Sequence, residues 1–245
     1  MLKNEINLGI IIFARFSSKR LKGKVLMEIN KASILEIILK RVKKVSKNIP
    51  IIVATSRNKP DDKIIKFCKS KKIKFFRGSH KNVFDRALNC CKKFKLNSFV
   101  RICADRPFLD YVLLDKMIKK FLTNKYDIVT NVFPKTFPSG LACEIVKLNS
   151  FKKIKKDKMK KNDFEHIFNY FYRNNKYYKI KNYAAKNKNN MKKKLSLDSQ
   201  KDFLLIKKIF KKKKYNFLLK TNSILEEPNL IKWNTTKIKD NSHEV

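Results

Sequence analysis

Short apolar runs that do not alternate, each followed by a helical pattern, constrain this chain more than any other feature. "LGIIIFA" (8–14) precedes "SILEIILKRVKKV" (33–45), whose apolar residues at 34, 35, 38, 39, 42 and 45 keep a helical period, and "IIVAT" (51–55) follows. The helix "PDDKIIKFCKSK" (60–71) comes next, opening on a proline and two acids that suit a helix N-terminus, and then the strand "IKFFRG" (73–78). The helix "NVFDRALNCCKKF" (82–94), the strand "SFVRICA" (98–104), the helix "YVLLDKMIKKFL" (111–122) and the strand "DIVTNVF" (127–133) extend the rhythm. Strands apolar on both sides need cover on both sides. The pattern therefore predicts an α/β fold with a mostly parallel central sheet and helices on both faces.

Past residue 134 the pattern loosens. "FPKTFPSGLACEIVKL" reads as a loop feeding a strand at 141–147. An aromatic helix "DFEHIFNYFYRN" (163–174), strands "YYKIKNYAA" (177–185) and "KLSLD" (194–198), and a helix "SQKDFLLIKKIFKKK" (199–213) follow. The expected organisation is one domain over 1–215 with an insertion at 134–185. Residues 216–245 are expected to form a helix and a polar tail in which Trp233 is an isolated aromatic.

The chain has 245 residues, and 61 Lys+Arg against 20 Asp+Glu give a net charge of +41, a balance that suits nucleic acid or an anionic membrane. Lysine is spread over almost every segment, however, and the skew is shared with Asn, Ile and Phe at the expense of Gly and Pro. That reads as a coding bias rather than a basic face, although non-specific polyanion binding follows from the field in either case. Five cysteines without a CxxC pair point to reduced core thiols, not to a disulfide framework or zinc site. No apolar run approaches the ~20 residues that span a bilayer, and Arg15 cuts the first run off too early for a signal peptide; a cytoplasmic protein is expected.

In an open parallel sheet, ligands bind beyond the carboxyl ends of the strands. Three features fall on that edge: the basic loop "ARFSSKRLKGK" (14–24), Asp105 after "RICA", and Asp198 closing "KLSL". Two carboxylates at one edge can share a divalent ion, and Mg2+ takes one or two protein carboxylates while phosphate oxygens and water fill the rest. The guanidinium forks of Arg15 and Arg20 match phosphate oxygens, Lys24 adds a point charge, and Ser17 and Ser18 add hydroxyl and backbone N–H donors. Lys19 and Lys22 add to the loop's charge. No GxxxxGK[ST] pattern occurs, which excludes a Walker-type loop. The expected ligand is a nucleoside triphosphate with Mg2+.

"IIIFARFSSKRLKGKVL" resembles the opening of the CTP-dependent sugar nucleotidyltransferases, closest to the branch named for spore coat polysaccharide biosynthesis protein F and related to the acylneuraminate and 3-deoxy-manno-octulosonate cytidylyltransferases. "IIVATSRNKPDDKI", "FRGSHKNVFDRALNC", "VRICADRPFLD", "TFPSGLACEIV", "FEHIFNYFY" and "LSLDSQKDF" keep that family's order and spacing over about residues 8–212. The resemblance implies a Rossmann-like, GT-A-type fold and transfer of CMP from CTP to a sugar, expected to be a keto-sugar acid, with release of pyrophosphate for surface polysaccharide or glycan synthesis. It implies that Arg15, Ser17, Arg20 and Lys24 hold triphosphate and cytosine, with Ala14, Ser18 and Ala104 also at the nucleotide. By the same resemblance Asp105 and Asp198 are metal ligands, Arg77 and Asp85 border the nucleotide, and Ser139, Gly140, Glu144 and His166 face the sugar. Arg15, Lys24 and Asp105 are expected to carry catalysis. The family's members are usually homodimers paired through the region after residue 134.

The chain also departs from the pattern. Many relatives read "FPDGLDVEV", where this chain has Ser139 and Ala142 in place of aspartates, so the acceptor cannot be copied from any one of them. Three alternatives stay open on sequence: a nucleotidyltransferase of other base or acceptor specificity, a basic RNA-binding protein, and a scaffold that has lost activity.

Overall fold

The computed structural model describes residues 6–18, 20–46, 48–186 and 188–227. Strand β1 (Leu8–Phe13) is buried almost throughout and runs between two parallel neighbours, β4 (Ile51–Ser56) and β6 (Ser98–Cys103). Between β1 and β4 the chain makes a small antiparallel pair, β2 (Glu28–Ile29) and β3 (Ala32–Ser33), and the helix α1 (Ile34–Val42). Helix α2 (Asp62–Ser70) leads to β5 (Lys74–Gly78), which adds outside β4, and α3 (Val83–Lys93) leads back across the sheet to β6. After α4 (Tyr111–Phe121) come β7 (Ile128–Thr130), β8 (Glu144–Lys147), α5 (Leu148–Lys152), α6 (Asn169–Arg173), β9 (Ile180–Asn182), α7 (Gln200–Lys212) and α8 (Thr221–Leu225).

The sheet order is β5-β4-β1-β6-β8-β7-β9, and only β8 runs against its neighbours. The chain first grows outward from β1 to β5 and then returns to place β6 on the other side of β1. That reversal opens a crevice at the carboxyl ends of β1 and β6. One apolar layer packs Ile10 and Ile12 with α1, α4 and α7, and a second packs Ile11 with α3, α5 and α6. The unbroken apolar run of β1 is thus explained by its covering on both faces.

Local chemistry marks several helix starts. Ser33, Asn82 and Asp110 each accept backbone N–H bonds at the N-termini of α1, α3 and α4. Arg41 is fully buried on α1 and donates to the carbonyls of Leu109, Phe217 and Leu219. It ties the segment before α8 onto the domain.

The second half corrects the sequence reading. The strands expected at 127–133, 141–147 and 177–185 shrink to three or four residues each. The helix expected over 163–174 is a 3-10 turn (Lys161–Phe164) followed by α6, because buried Asp163 accepts from Lys160 N and pairs with Arg173, folding the segment back on itself. Residues 194–198 form no sheet strand: Leu195 N donates to Ser139 O and Leu197 N to Asp105 O, so loops take the backbone bonds a ladder would use. The five cysteines are free, and no helix of the described residues is long and apolar enough to cross a membrane. Lys19 and the tail from 228 onward, with Trp233, lie outside the described residues.

Candidate active site

The crevice holds a cavity of about 630 Å3. Ala14 and Ala104 end the adjacent strands β1 and β6 on its floor: Ala14 N donates to Ala54 O at 3.0 Å and Ala104 N to Phe13 O at 3.0 Å, each one residue beyond its strand. The basic loop therefore leaves the sheet with its backbone direction fixed.

The loop is held from beneath by a residue that the sequence reading did not single out. Asp61, fully buried, accepts from Phe16 N at 2.7 Å and from Ser56 N and Oγ. Burial alone raises its pKa; the Ser56 hydroxyl bond, with the backbone bonds of Phe16 and Ser56, outweighs that and holds the carboxyl below its ordinary value. Gly23, at φ 74°, closes the loop with Gly23 N donating to Phe16 O at 2.8 Å. Lys24 then points back into the cavity, 8% exposed.

Lys24 is where the expected residues converge. Its Nζ donates to Asp105 Oδ2 at 2.8 Å, to Leu197 O at 2.6 Å and to Asp198 Oδ1 at 3.3 Å. Arg20 also donates to Asp198 Oδ1 at 2.8 Å, and Ser196 Oγ donates to Asp198 Oδ2 at 3.0 Å. Burial works against ionisation of Asp198; the charges of Lys24, Lys194 and Arg20, with the Ser196 bond, overcome it and lower its pKa. Asp198 is oriented in turn by Asp202, which accepts from Asp198 N and Ser199 N and caps α7.

Two carboxylates close enough to share one ammonium nitrogen present hard oxygen donors to a single point, the donor set Mg2+ takes when phosphates complete its shell. Among the described residues no group of three or more His, Cys, Asp or Glu clusters in a way that would hold a metal by itself. The pair therefore fits an ion that arrives with a phosphate ligand rather than one caged by protein.

Arg15 reaches across the opening to Glu165 Oε1 at 2.6 Å, and Ser18 and Arg20 also line the cavity. Ser17 does not line it, and its buried hydroxyl has no hydrogen-bond partner among the described residues. Ser139, Gly140, Glu144 and His166 line the same cavity. Ser139 Oγ and Ser196 Oγ are 3.1 Å apart, and Gly140, at φ 99°, lies against the Leu195–Ser196 backbone where no Cβ would fit. Both oxygens of Glu144 are engaged, by Arg101 Nη1 at 2.6 Å and by Tyr172 OH at 2.9 Å.

Arg77 and Asp85 correct the reading: neither lines the cavity. Arg77 pairs with Asp62 at 2.7 Å on the outer edge, and Asp85 pairs with Lys156 at 2.9 Å near the start of α3. The residue that does enter from this segment is Arg86, 2% exposed, donating to Ser79 O and His80 O. Burial lowers its pKa to about 10, with Asp61 acting against the fall, so it remains charged near neutrality. The signal available was the helical step of about 100° per residue, which turns Asp85 and Arg86 to different sides. Arg101 and Arg106 are likewise in the cavity wall and were not anticipated.

With the fold and site in view, the chain can be set beside known proteins. It is 40% identical over 164 residues to an uncharacterized protein of Methanocaldococcus jannaschii, a match spanning 67% of this chain and 66% of that protein. It is 28% identical over 210 residues to the spore coat polysaccharide biosynthesis protein SpsF of Bacillus subtilis, covering 82% and 85% of the two. The solved structure of a cytidylyltransferase from Leptospira borgpetersenii superposes with a TM-score of 0.85 at 28% identity, over 95% of this chain and all of that one. The cytidylyltransferase family model matches residues 9–227. A chain that carries the family's sequence over nearly all its described length, on the fold of a solved member, belongs to the cytidylyltransferases, a family of nucleotidyltransferase enzymes.

Proposed function

We propose that this enzyme transfers CMP from CTP to a hydroxyl of a sugar acid, releasing pyrophosphate, in the synthesis of a surface polysaccharide or glycan. The observation that carries the reading is the convergence of Asp105, Asp198 and Lys24 at the carboxyl edge of β1 and β6, directly under a basic loop. Arg15, Arg20 and Lys24 supply three cations for the β- and γ-phosphates, and Arg86 adds a fourth from α3. Asp105 and Asp198 would hold Mg2+, which when bound neutralises charge on the triphosphate and on departing pyrophosphate. The acceptor hydroxyl attacks the α-phosphorus in line; the new P–O bond forms as the bond to pyrophosphate breaks, and the hydroxyl proton leaves to solvent. Positioning and electrostatics do the work, and no covalent intermediate on the chain is required.

The spore coat polysaccharide relative supports the destination of the product, and the cations of the cavity wall support an acidic acceptor. By the family resemblance the enzyme is a homodimer paired through the segment after residue 134, which sedimentation at working concentration would check. The test of function is magnesium-dependent pyrophosphate release from CTP, ATP, GTP and UTP with a panel of eight- and nine-carbon keto-sugar acids and neutral hexoses. Release with CTP and an acid is expected. Release with another nucleotide, or with neutral sugars alone, would overturn the reading.

A further inference from the structure

The two carboxylate oxygens of Asp198 have different surroundings. Oδ1 takes Arg20 at 2.8 Å and Lys24 at 3.3 Å, and both of those cations line the cavity. Oδ2 takes Ser196 Oγ at 3.0 Å and lies 3.3 Å from Lys194 Nζ. Lys194 is not part of the cavity lining, and its side chain is 10% exposed. The same ammonium donates to Asp202 Oδ2 at 2.7 Å, the oxygen that also accepts from Asp198 N and Ser199 N at the start of α7. The backbone that carries Lys194 is fixed as well. Lys194 pairs with Ser139 in an isolated parallel bridge, and Leu195 N donates to Ser139 O at 2.7 Å.

The last torsion of an aspartate is broad and two-fold, so a carboxylate held only through its backbone exchanges its two oxygens readily. The bonds on Oδ2 oppose that turn. When a triphosphate enters the cavity, Arg20 and Lys24 gain phosphate oxygens as alternative partners and can release Oδ1. Lys194, outside the lining, has no such exchange and keeps Oδ2.

We infer that Lys194 is a positioning residue: it clamps Asp198 Oδ2 to the start of α7 and so reserves Oδ1 for the divalent ion that accompanies the nucleotide. On the cytidylyl-transfer reading, on which this rests, Lys194 touches neither nucleotide nor acceptor and acts only through Asp198. Its charge is already answered by Asp202. Removing it therefore changes the field at Oδ1 less than it frees the carboxylate to turn, and a freely turning carboxylate is a poorer ligand than an aimed one.

The test reads metal-assisted binding apart from turnover. Wild type, Lys194→Gln, Lys194→Arg and Ser196→Ala are each titrated calorimetrically with α,β-methylene-CTP, once with Mg2+ and once with EDTA. The wild type is expected to bind at least about tenfold tighter with Mg2+, and Lys194→Gln to lose about tenfold in that ratio with its EDTA affinity little changed. Lys194→Arg, which keeps a cation between the two carboxylates, is expected to retain the ratio. Ser196→Ala alters no charge and removes the other bond on Oδ2; it is expected to lower the ratio by a smaller factor, and it decides the matter if Lys194→Gln does not fold. A purely structural role would weaken binding equally with and without Mg2+, and a role as counter-charge alone would raise the ratio in Lys194→Gln. Either result overturns the inference, as does the same loss in Lys194→Arg or an unchanged ratio in both Lys194→Gln and Ser196→Ala. Equal binding by wild type with Mg2+ and EDTA would remove the ion from the site and the inference with it. No binding of the analogue by wild type would remove the nucleotide reading itself.

Discussion

At the scale of single residues, the site is organised by Lys24, whose ammonium stands between two carboxylates that would otherwise repel each other. Loading a divalent ion there requires Lys24 to give up at least one of them, so the lysine and the ion compete. Lys24→Met is therefore expected to bind Mg2+ more tightly in the absence of nucleotide, by about tenfold on the scale of a partly buried pair, and to lose at least about a hundredfold in turnover with CTP. Calorimetry and pyrophosphate release read the two effects separately; weaker Mg2+ binding by the variant would show that the ammonium orders the ion site instead of competing for it. Asp105→Ala is expected to abolish turnover with the melting temperature little changed, and full activity would remove Asp105 from the site. Asp198 adds a pH signature. Its folded pKa lies below the ordinary 3.8, so its ion pairs add stability that is complete above that value and is lost as the pH falls through the depressed one. The melting-temperature gap between wild type and Asp198→Asn should accordingly be steady from pH 7 to 5 and close on acidification below about pH 4. Asp105 was legible because it follows the apolar run of β6 and so lies at the carboxyl edge of the sheet, whereas Asp198 was read onto that edge as the end of a strand and reaches Lys24 from a loop held by Asp105 O and the start of α7. Arg86 was not legible, since a sequence motif does not say which of two neighbouring helical residues faces inward.

At the scale of elements, the site depends on how loops are tied to rigid pieces. The segment 194–198 has no place in the sheet, yet Asp198 is held where it is by the start of α7, with Ser199 and Asp202 capping each other's backbone. Ser199→Ala is expected to destabilise the fold by about 1 kcal/mol in urea unfolding, the usual cost of removing an N-cap hydroxyl. Asp61 does for the loop after β1 what Asp202 does for Asp198, through its bond from Phe16 N. Asp61→Asn keeps the shape and loses the charge that three donors share, so the KM for CTP should rise several-fold more than kcat falls; an unchanged KM would mean the loop is set by β1 and Gly23 alone. The parallel half of the sheet was readable from the sequence because its central strands, β1 and β4 above all, are runs apolar on both faces. The region 134–198 was not, because its order comes from particular bonds. Asp163 to Arg173 breaks the expected helix, and loop carbonyls at Ser139 and Asp105 replace a ladder for 194–198. Periodicity does not encode such contacts.

At the scale of the whole molecule, the charge of +41 acts on folding and on partners in opposite ways. Like charges spread over the surface repel in the compact state, and that repulsion is long-ranged at low ionic strength, where the screening length is about 30 Å at 0.01 M salt, falling to about 10 Å at 0.1 M. The ion pairs that shape the site are short; Lys24 with Asp105 and Arg101 with Glu144 lie at 2.8 and 2.6 Å and are mostly shielded from solvent, so salt reaches them little. Raising sodium chloride from 0.01 to 0.3 M should therefore increase the melting temperature by several degrees. RNA binding, where it occurs, should collapse over the same range with a steep logarithmic slope, since it consists of counterion release from many phosphates. Binding of Mg-CTP, which uses a few cations in a recessed cavity, should weaken far less. Measured side by side on one preparation, a shallow slope for Mg-CTP and a steep one for RNA assign the lysine surface to bulk electrostatics and the crevice to the nucleotide. Equal slopes would mean that CTP is held by the same diffuse field as RNA, and the convergence of Asp105, Asp198 and Lys24 would then have no specific ligand.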